Sequence, residues 1–344
     1  MSEVAYDDAV NEALDRLDRA GFFFGGGGAG NRLRGFAIHA PMGAEALATL
    51  GCGDQVPGWV DWYASVRGLG ALPEPVTPID PGDTASWRPA LGETRRLADW
   101  AALFRRQIDE LGWHQTLVTW WPRLTPGMLA GLTHGLIRTA HAVRSVSTVP
   151  RPSAAQLHEL ANGLAFWAAM YQPPNSAMAR GAKVIGTVKT LGQRPRSKLF
   201  AAADARLDTS VDAALAELGA IAAGQYLSVQ GGNPVPAIHT ITAPAALRMV
   251  LPHLPPDFAL PSYEAVREVS GTLLNILTGR SREPLPPAVD GDDPAVQRSI
   301  VEAAVALRDE HAIKISEAAR REYADHPDPR YFAAAHHAIG LLGG

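Results

Sequence analysis

At 344 residues, 47% apolar and 19% charged, the chain can bury a large core and has neither a disordered nor a fibrous composition. A net charge of −4, from 31 basic and 35 acidic residues, gives no general attraction to nucleic acid or to an anionic membrane surface. The single cysteine, Cys52, excludes an internal disulfide framework, and no apolar run reaches the roughly 18 residues of a membrane helix. Met1 to Asp8 is acidic where a signal peptide would be basic and then apolar, so a cytoplasmic protein is expected.

Helical periodicity dominates from the start. Asp8 to Ala20 places Val10, Ala13, Leu14 and Leu17 on one stripe. Gly25 to Gly30 then matches G-x-G-x-x-G in form. With a helical pattern before it and no strand pattern after it, it lacks the context of a dinucleotide loop and reads as a flexible or tightly turned loop. His39 follows in an apolar setting, directly before a helix through Ala46, Leu47 and Leu50. A helix is expected over 97–111. Thr125-Pro126 has the form of an N-cap with proline at the first helical position, opening a helix that carries His134 and runs to about Arg144. His134, Arg138 and His141 share one face of it. Ser153 opens the next helix, through Met170, and Pro173-Pro174 ends it.

Lys183 to Lys198 is basic, with a short period-2 run over 183–189; it suits a solvated loop or a lid that steers an anionic substrate. Further helices are expected over 209–227, 237–252, 262–279 and 294–324. His239 lies on the second of these, and His311 and Lys314 on the last. Pro/Gly-rich connections at 71–92, 145–153, 228–236 and 281–294 do not combine the length and low complexity of a domain linker. The expectation is an all-α fold, a single multi-helix domain over 1–344 enclosing a buried histidine-rich site.

Histidine carries the chemistry. A histidine among apolar residues needs a partner, and taken singly it is more often a hydrogen-bonded core residue than a ligand. His39, His134, His239 and His311 each come from a different apolar stripe, and four such imidazoles together point to a metal site. His336-His337 is a second, weaker candidate, because adjacent helical residues diverge by about 100°. Lys314 is one of four lysines among the 31 basic residues and stands on the face of His311. It is a surface lysine, a buried amine acting as base or nucleophile, or an amine carbamylated by CO₂ into an oxygen ligand. A bare ammonium beside a divalent cation is unfavourable, so in such a site it is neutral or modified. Glu317, one turn on, can accept a hydrogen bond behind it. No P-loop, nucleophile elbow, H-E-x-x-H or paired C-x-x-C occurs.

Four segments together resemble the questin oxidase-like family: Ile38-His39-Ala40-Pro41-Met42 with Glu45-Ala46-Leu47, His134-Gly135-Leu136-Ile137, Ile238-His239-Thr240-Ile241-Thr242 and His311-Ala312-Ile313-Lys314. They occur in the family's order over roughly residues 20 to 340, and specificity lies in the set rather than in any one. The family often has Asn before the first histidine and His-Pro-Leu-Ile-His in the second segment. Here Ile38, Gly135 and Arg138 stand instead, so that second histidine's role does not transfer, and Arg138 becomes a candidate for holding a substrate oxygen or anion.

The resemblance implies an oxygenase of aromatic polyketide pathways that oxidises or opens an anthraquinone-type ring, with O₂ and a planar aromatic molecule as reactants. Some members are described as Baeyer–Villiger enzymes using NADPH, for which this chain shows no binding motif. Mononuclear non-haem Fe(II) held by His39, His134, His239 and His311, with Lys314 as a modified ligand or close neighbour, is the expected centre. Imidazole suits zinc as well. A zinc hydrolase or lyase, and a non-catalytic binding protein for an aromatic metabolite, are the rival readings. Trp120, Trp121, Trp167 and Tyr171 are available as aromatic walls or as packing.

Overall fold

The computed structural model describes residues 4–17, 20–24, 36–71, 73–173, 196–229, 234–277 and 288–344. The fold is all-α, and its helices divide into two units, Met1–Gln172 and Pro173–Gly344. The Gly25–Gly30 and Lys183–Lys189 segments lie outside the described residues.

In the first unit the main helices are α1 (Tyr6–Arg16), α2 (Ala40–Thr49), α3 (Val56–Arg67), α4 (Leu97–Leu111), α5 (Trp113–Leu124), α6 (His134–Ser147) and α7 (Ala154–Ala169). Helix α1 buries the stripe Ala9, Val10, Ala13 and Leu14 against α2 and α3. It ends sooner than the periodicity suggests. Ala20–Phe24 (β1) is a strand, pairing antiparallel with Phe36–Ala37 (β2) and Leu69–Ala71 (β3) in the order β2-β1-β3. A strand therefore does precede the glycine-rich segment. The element after it returns antiparallel, so the two make a hairpin rather than the βαβ unit a dinucleotide site needs.

Helices α6 and α7 pack closely because glycines face the partner backbone. A Cβ on Gly135 would fall 2.7 Å from the Trp167 ring, and one on Gly163 3.1 Å from the Thr139 backbone. Helix α7 opens with a complete capping box, Ser153 with Gln156. Trp120 belongs to an aromatic cluster with Trp87, Trp100 and Phe104, while Trp121 and Trp167 meet edge to face at 5.2 Å. These tryptophans are packing residues of a close-fitted interior.

The second unit holds α8 (Val211–Tyr226), α9 (Val235–Val250), α10 (Ala259–Leu277), α11 (Pro294–Leu307), α12 (Glu310–Asp325) and α13 (Arg330–Gly343). Tyr226, Ile238, Ile241, Ile315, Tyr331 and Phe332 form its apolar centre. The Tyr331 hydroxyl donates to the Ala216 carbonyl at 2.7 Å, so this buried phenol is satisfied.

Two helix boundaries depart from the sequence pattern. The helix expected from Thr125 to Arg144 is interrupted: Thr125–Gly127 is a single 3₁₀ turn, and α6 begins only at His134. The Thr125 hydroxyl donates to the Trp121 carbonyl at 2.8 Å instead of capping. The segment 294–324 is two helices, broken where Arg308 is left-handed (φ 61°). Asp309 then caps α12, accepting from the amides of His311 and Ala312 at 2.8 and 3.1 Å.

Buried ion pairs fix the helices that carry histidine. In the first unit the Glu45 carboxylate on α2 accepts from His141 Nδ1 at 2.6 Å, from Arg144 Nε at 2.7 Å and from the Tyr6 hydroxyl at 2.6 Å. Burial alone would raise its pKa, but Arg144 and His141 hold it well below the carboxylate range. In the second unit Arg248 on α9 pairs with Glu322 on α12, and Arg321 donates to the Ala245 carbonyl at 3.0 Å.

Replacing Glu45 with Gln is expected to cost about 3–5 kcal/mol in urea unfolding, because the Arg144 guanidinium loses its buried counter-charge. A carboxylate whose folded pKa is depressed contributes fully above its ordinary value of 4.5. That contribution is lost as the pH falls from there toward the folded value, so the variant should flatten the acid limb of the stability curve.

Candidate metal centre

Each unit brings two of the expected histidines together. In the first, His39 occupies the N-cap position of α2, its amide donating to the Tyr63 hydroxyl at 3.0 Å. His134 is the first residue of α6, and its Nε2 faces His39 Nε2 at 2.5 Å, with the rings edge to face at 78°. Its other nitrogen, Nδ1, is paired with the Gly131 carbonyl, which makes Nδ1 the donor and directs the Nε2 lone pair toward His39. In the second unit His239 on α9 and His311 on α12 have ring centroids 5.6 Å apart, tilted by 37°. All four side chains are buried.

In each pair the offered ring nitrogens lie within 4.8 Å of one another, so each unit presents two buried imidazoles able to ligate a metal ion. Two nitrogens each about 2.1 Å from one ion at a right angle stand about 3 Å apart. The His39–His134 spacing is already close to that. Neutral imidazole is the form that binds metal, and the protein favours it. Burial lowers the His311 pKa, assisted by the charge of Lys314, against Asp309 and Glu310, which raise it. His39, His134 and His311 all sit at helix N-termini, where the positive end of the helix dipole opposes an imidazolium.

A second group, Asp309, Glu310 and His311, also has the spacing of a metal site. Asp309 Oδ1 of that group also caps α12.

Lys314, one turn beyond His311, is 2% exposed, and its Nζ has no hydrogen-bond partner among the described residues. Burial lowers its pKa to about 8, although Glu310 and Asp309 pull it up. A substantial neutral fraction therefore exists near physiological pH, as a metal-adjacent amine requires. Glu317 is buried and accepts from Arg321 at 3.1 Å. Arg138 is engaged by a partner that the sequence did not suggest: its Nε and Nη2 donate to Glu159 at 2.6 and 2.8 Å in a buried two-pronged pair. His337 Nε2 donates to the Val229 carbonyl at 2.8 Å, and the ring packs edge to face on Tyr226.

Sequence reasoning placed Glu45 in a motif but gave it no role, and it missed Glu159; both hold α6 in place. One signal for Glu45 was present, since it is the one charged residue of α2. The chain matches no protein-family model and no curated protein. Among the described residues, no helix is long and apolar enough to cross a membrane.

Replacing Lys314 with Met should stabilise the metal-free, CO₂-free protein at pH 7. The amine titrates near 8 when folded and at 10.5 when unfolded, so the cost of burying its charge is fully present below about pH 8. That cost, of order 3 kcal/mol, fades as the pH rises toward 10.5. Urea unfolding of both proteins at pH 7 and pH 10 reads the difference, and an unchanged gap would contradict the assignment.

Proposed function

We propose that this protein is a metal-dependent oxygenase of the questin oxidase-like kind, oxidising or opening a ring of an aromatic polyketide such as an anthraquinone. The two buried imidazole pairs, His39 with His134 and His239 with His311, carry the reading. Non-haem Fe(II) is the metal they suit in that role, and the four segments that resemble the family contain these same four histidines. Such a centre supplies redox chemistry and the activation of O₂, which no amino-acid side chain provides.

The chain's own residues perform the remaining tasks. His39, His134, His239 and His311 supply neutral nitrogen donors, with the tautomer of His134 set by the Gly131 carbonyl. The unpartnered Lys314 amine is available to take up CO₂. In that step the Nζ lone pair forms the N–C bond, one proton leaves to solvent, and the resulting carbamate presents an anionic oxygen where an ammonium stood. The same amine, unmodified and neutral, can accept a proton from a phenolic hydroxyl of the substrate. Arg138 and Glu159 stay paired and contribute order rather than an anion-binding charge. No nicotinamide site enters this reading.

Metal analysis of anaerobically purified protein, followed by oxygen uptake with reduced anthraquinones, tests the proposal. Near-stoichiometric iron and substrate-dependent oxygen consumption are expected, and His239→Ala should lose both while keeping its helix content. Zinc alone with hydrolysis and no oxygen uptake would replace the oxygenase reading with the hydrolytic one. Failure to bind any metal after reconstitution would overturn it.

A further inference from the structure

The chain directly before His134 breaks two local rules at once. Gly131, Leu132 and Thr133 are all left-handed, with φ of 56°, 60° and 71°. Glycine accepts that conformation freely, whereas a leucine and a β-branched threonine there are strained. Thr133 also stands at the N-cap of α6, the position where a threonine hydroxyl ordinarily accepts an amide, yet its side chain makes no cap. Its Oγ1 is buried without a hydrogen-bond partner among the described residues. The sequence favours a helix running straight through, and the structure gives up that helix for a costlier turn.

The turn has one evident product. It aims the Gly131 carbonyl at the imidazole that follows, where it is paired with His134 Nδ1 and also accepts the His134 amide at 3.4 Å. In a continuous helix that carbonyl would point along the axis, toward an amide four residues on. Gly131 is itself confined: a Cβ there would lie 2.9 Å from the Phe166 ring.

We infer that the left-handed turn Gly131–Thr133 is a positioning device for His134, held under backbone strain so that Nδ1 carries the proton and Nε2 is kept as the metal-facing atom. Strained residues beside a working group, with no benefit to the fold, are the form in which such devices occur. The inference rests on the metal-binding reading for its purpose, but not for its geometry.

Nitrogen-15 NMR of the histidine rings in the metal-free wild-type protein tests the geometry directly. His134 should show a protonated Nδ1 and a bare Nε2; a dominant Nε2–H tautomer would overturn the inference without bearing on whether metal binds. Thr133→Gly should raise the melting temperature and leave that tautomer intact, since glycine relieves strain and removes the unpartnered hydroxyl. A lowered melting temperature would show that the turn is not strained. Gly131→Ala should displace the carbonyl and weaken metal binding by about 10–100-fold, the usual loss when a histidine ligand's supporting hydrogen bond is removed. Undiminished affinity in a folded Gly131→Ala protein would overturn the inference, whereas a wild-type protein that binds no metal fails the functional reading instead.

Discussion

The Glu45 carboxylate is the interaction on which the first pair of histidines depends. It belongs to α2, whose N-cap is His39, and it is bound by His141 and Arg144 of α6, whose first residue is His134. A rigid helix transmits position along its axis, so anchoring α2 to α6 at Glu45 sets the distance between imidazoles one or two turns away. A charge this deeply buried is a poor source of net stability, because desolvation consumes most of what pairing returns. Its value lies in specificity: only one register of α2 on α6 satisfies the carboxylate. Arg248 and Glu322 hold α9 on α12 in the same manner, each helix bringing one imidazole.

The histidines share a further property, which is their place at the ends of helices. His39, His134 and His311 are N-cap, first and second residues of their helices. Such positions put the ring near the unsatisfied amides and the positive dipole end, which suits a neutral donor and opposes a protonated one. They also leave the preceding backbone free of helical constraint. The chain uses that freedom differently each time: an extended approach with the His39 amide on Tyr63, a left-handed turn before His134, and a capping aspartate before His311. Lys314 then stands on the next turn from His311, its amine without a hydrogen-bond partner among the described residues, an expensive arrangement for a residue with only a structural duty.

Much of this was legible in the sequence. Apolar residues recurring at helical spacing gave the all-α class, and most helix ranges agree with the structure to within a few residues, as 209–227 against Val211–Tyr226 illustrates. Candidate ligands stood out because polar imidazoles interrupt apolar stripes, and Lys314 because lysine is rare in this chain. Where sequence reasoning failed, the missing term was long-range. The left-handed turn before His134 contradicts local propensity and exists only because Gly131 fits beside Phe166 and its carbonyl meets a ring. Strand β1 looked like the end of a helix because its partners, 36–37 and 69–71, lie far along the chain. Arg138 looked available for an anion because nothing in its neighbourhood announces Glu159, 21 residues later.

By itself, then, the sequence determined the elements and the chemistry on offer: helices from apolar periodicity, an interior from composition, and four imidazoles with one amine as a donor set. Tertiary structure decided which donors meet within each unit, which carboxylate neutralises which arginine, which nitrogen of His134 carries the proton, and that Lys314 is buried with no hydrogen-bond partner among the described residues. The division has a physical cause. Periodicity and propensity act over one or two turns of chain, whereas a buried charge, a tautomer and a desolvated amine are set by atoms brought close only by folding.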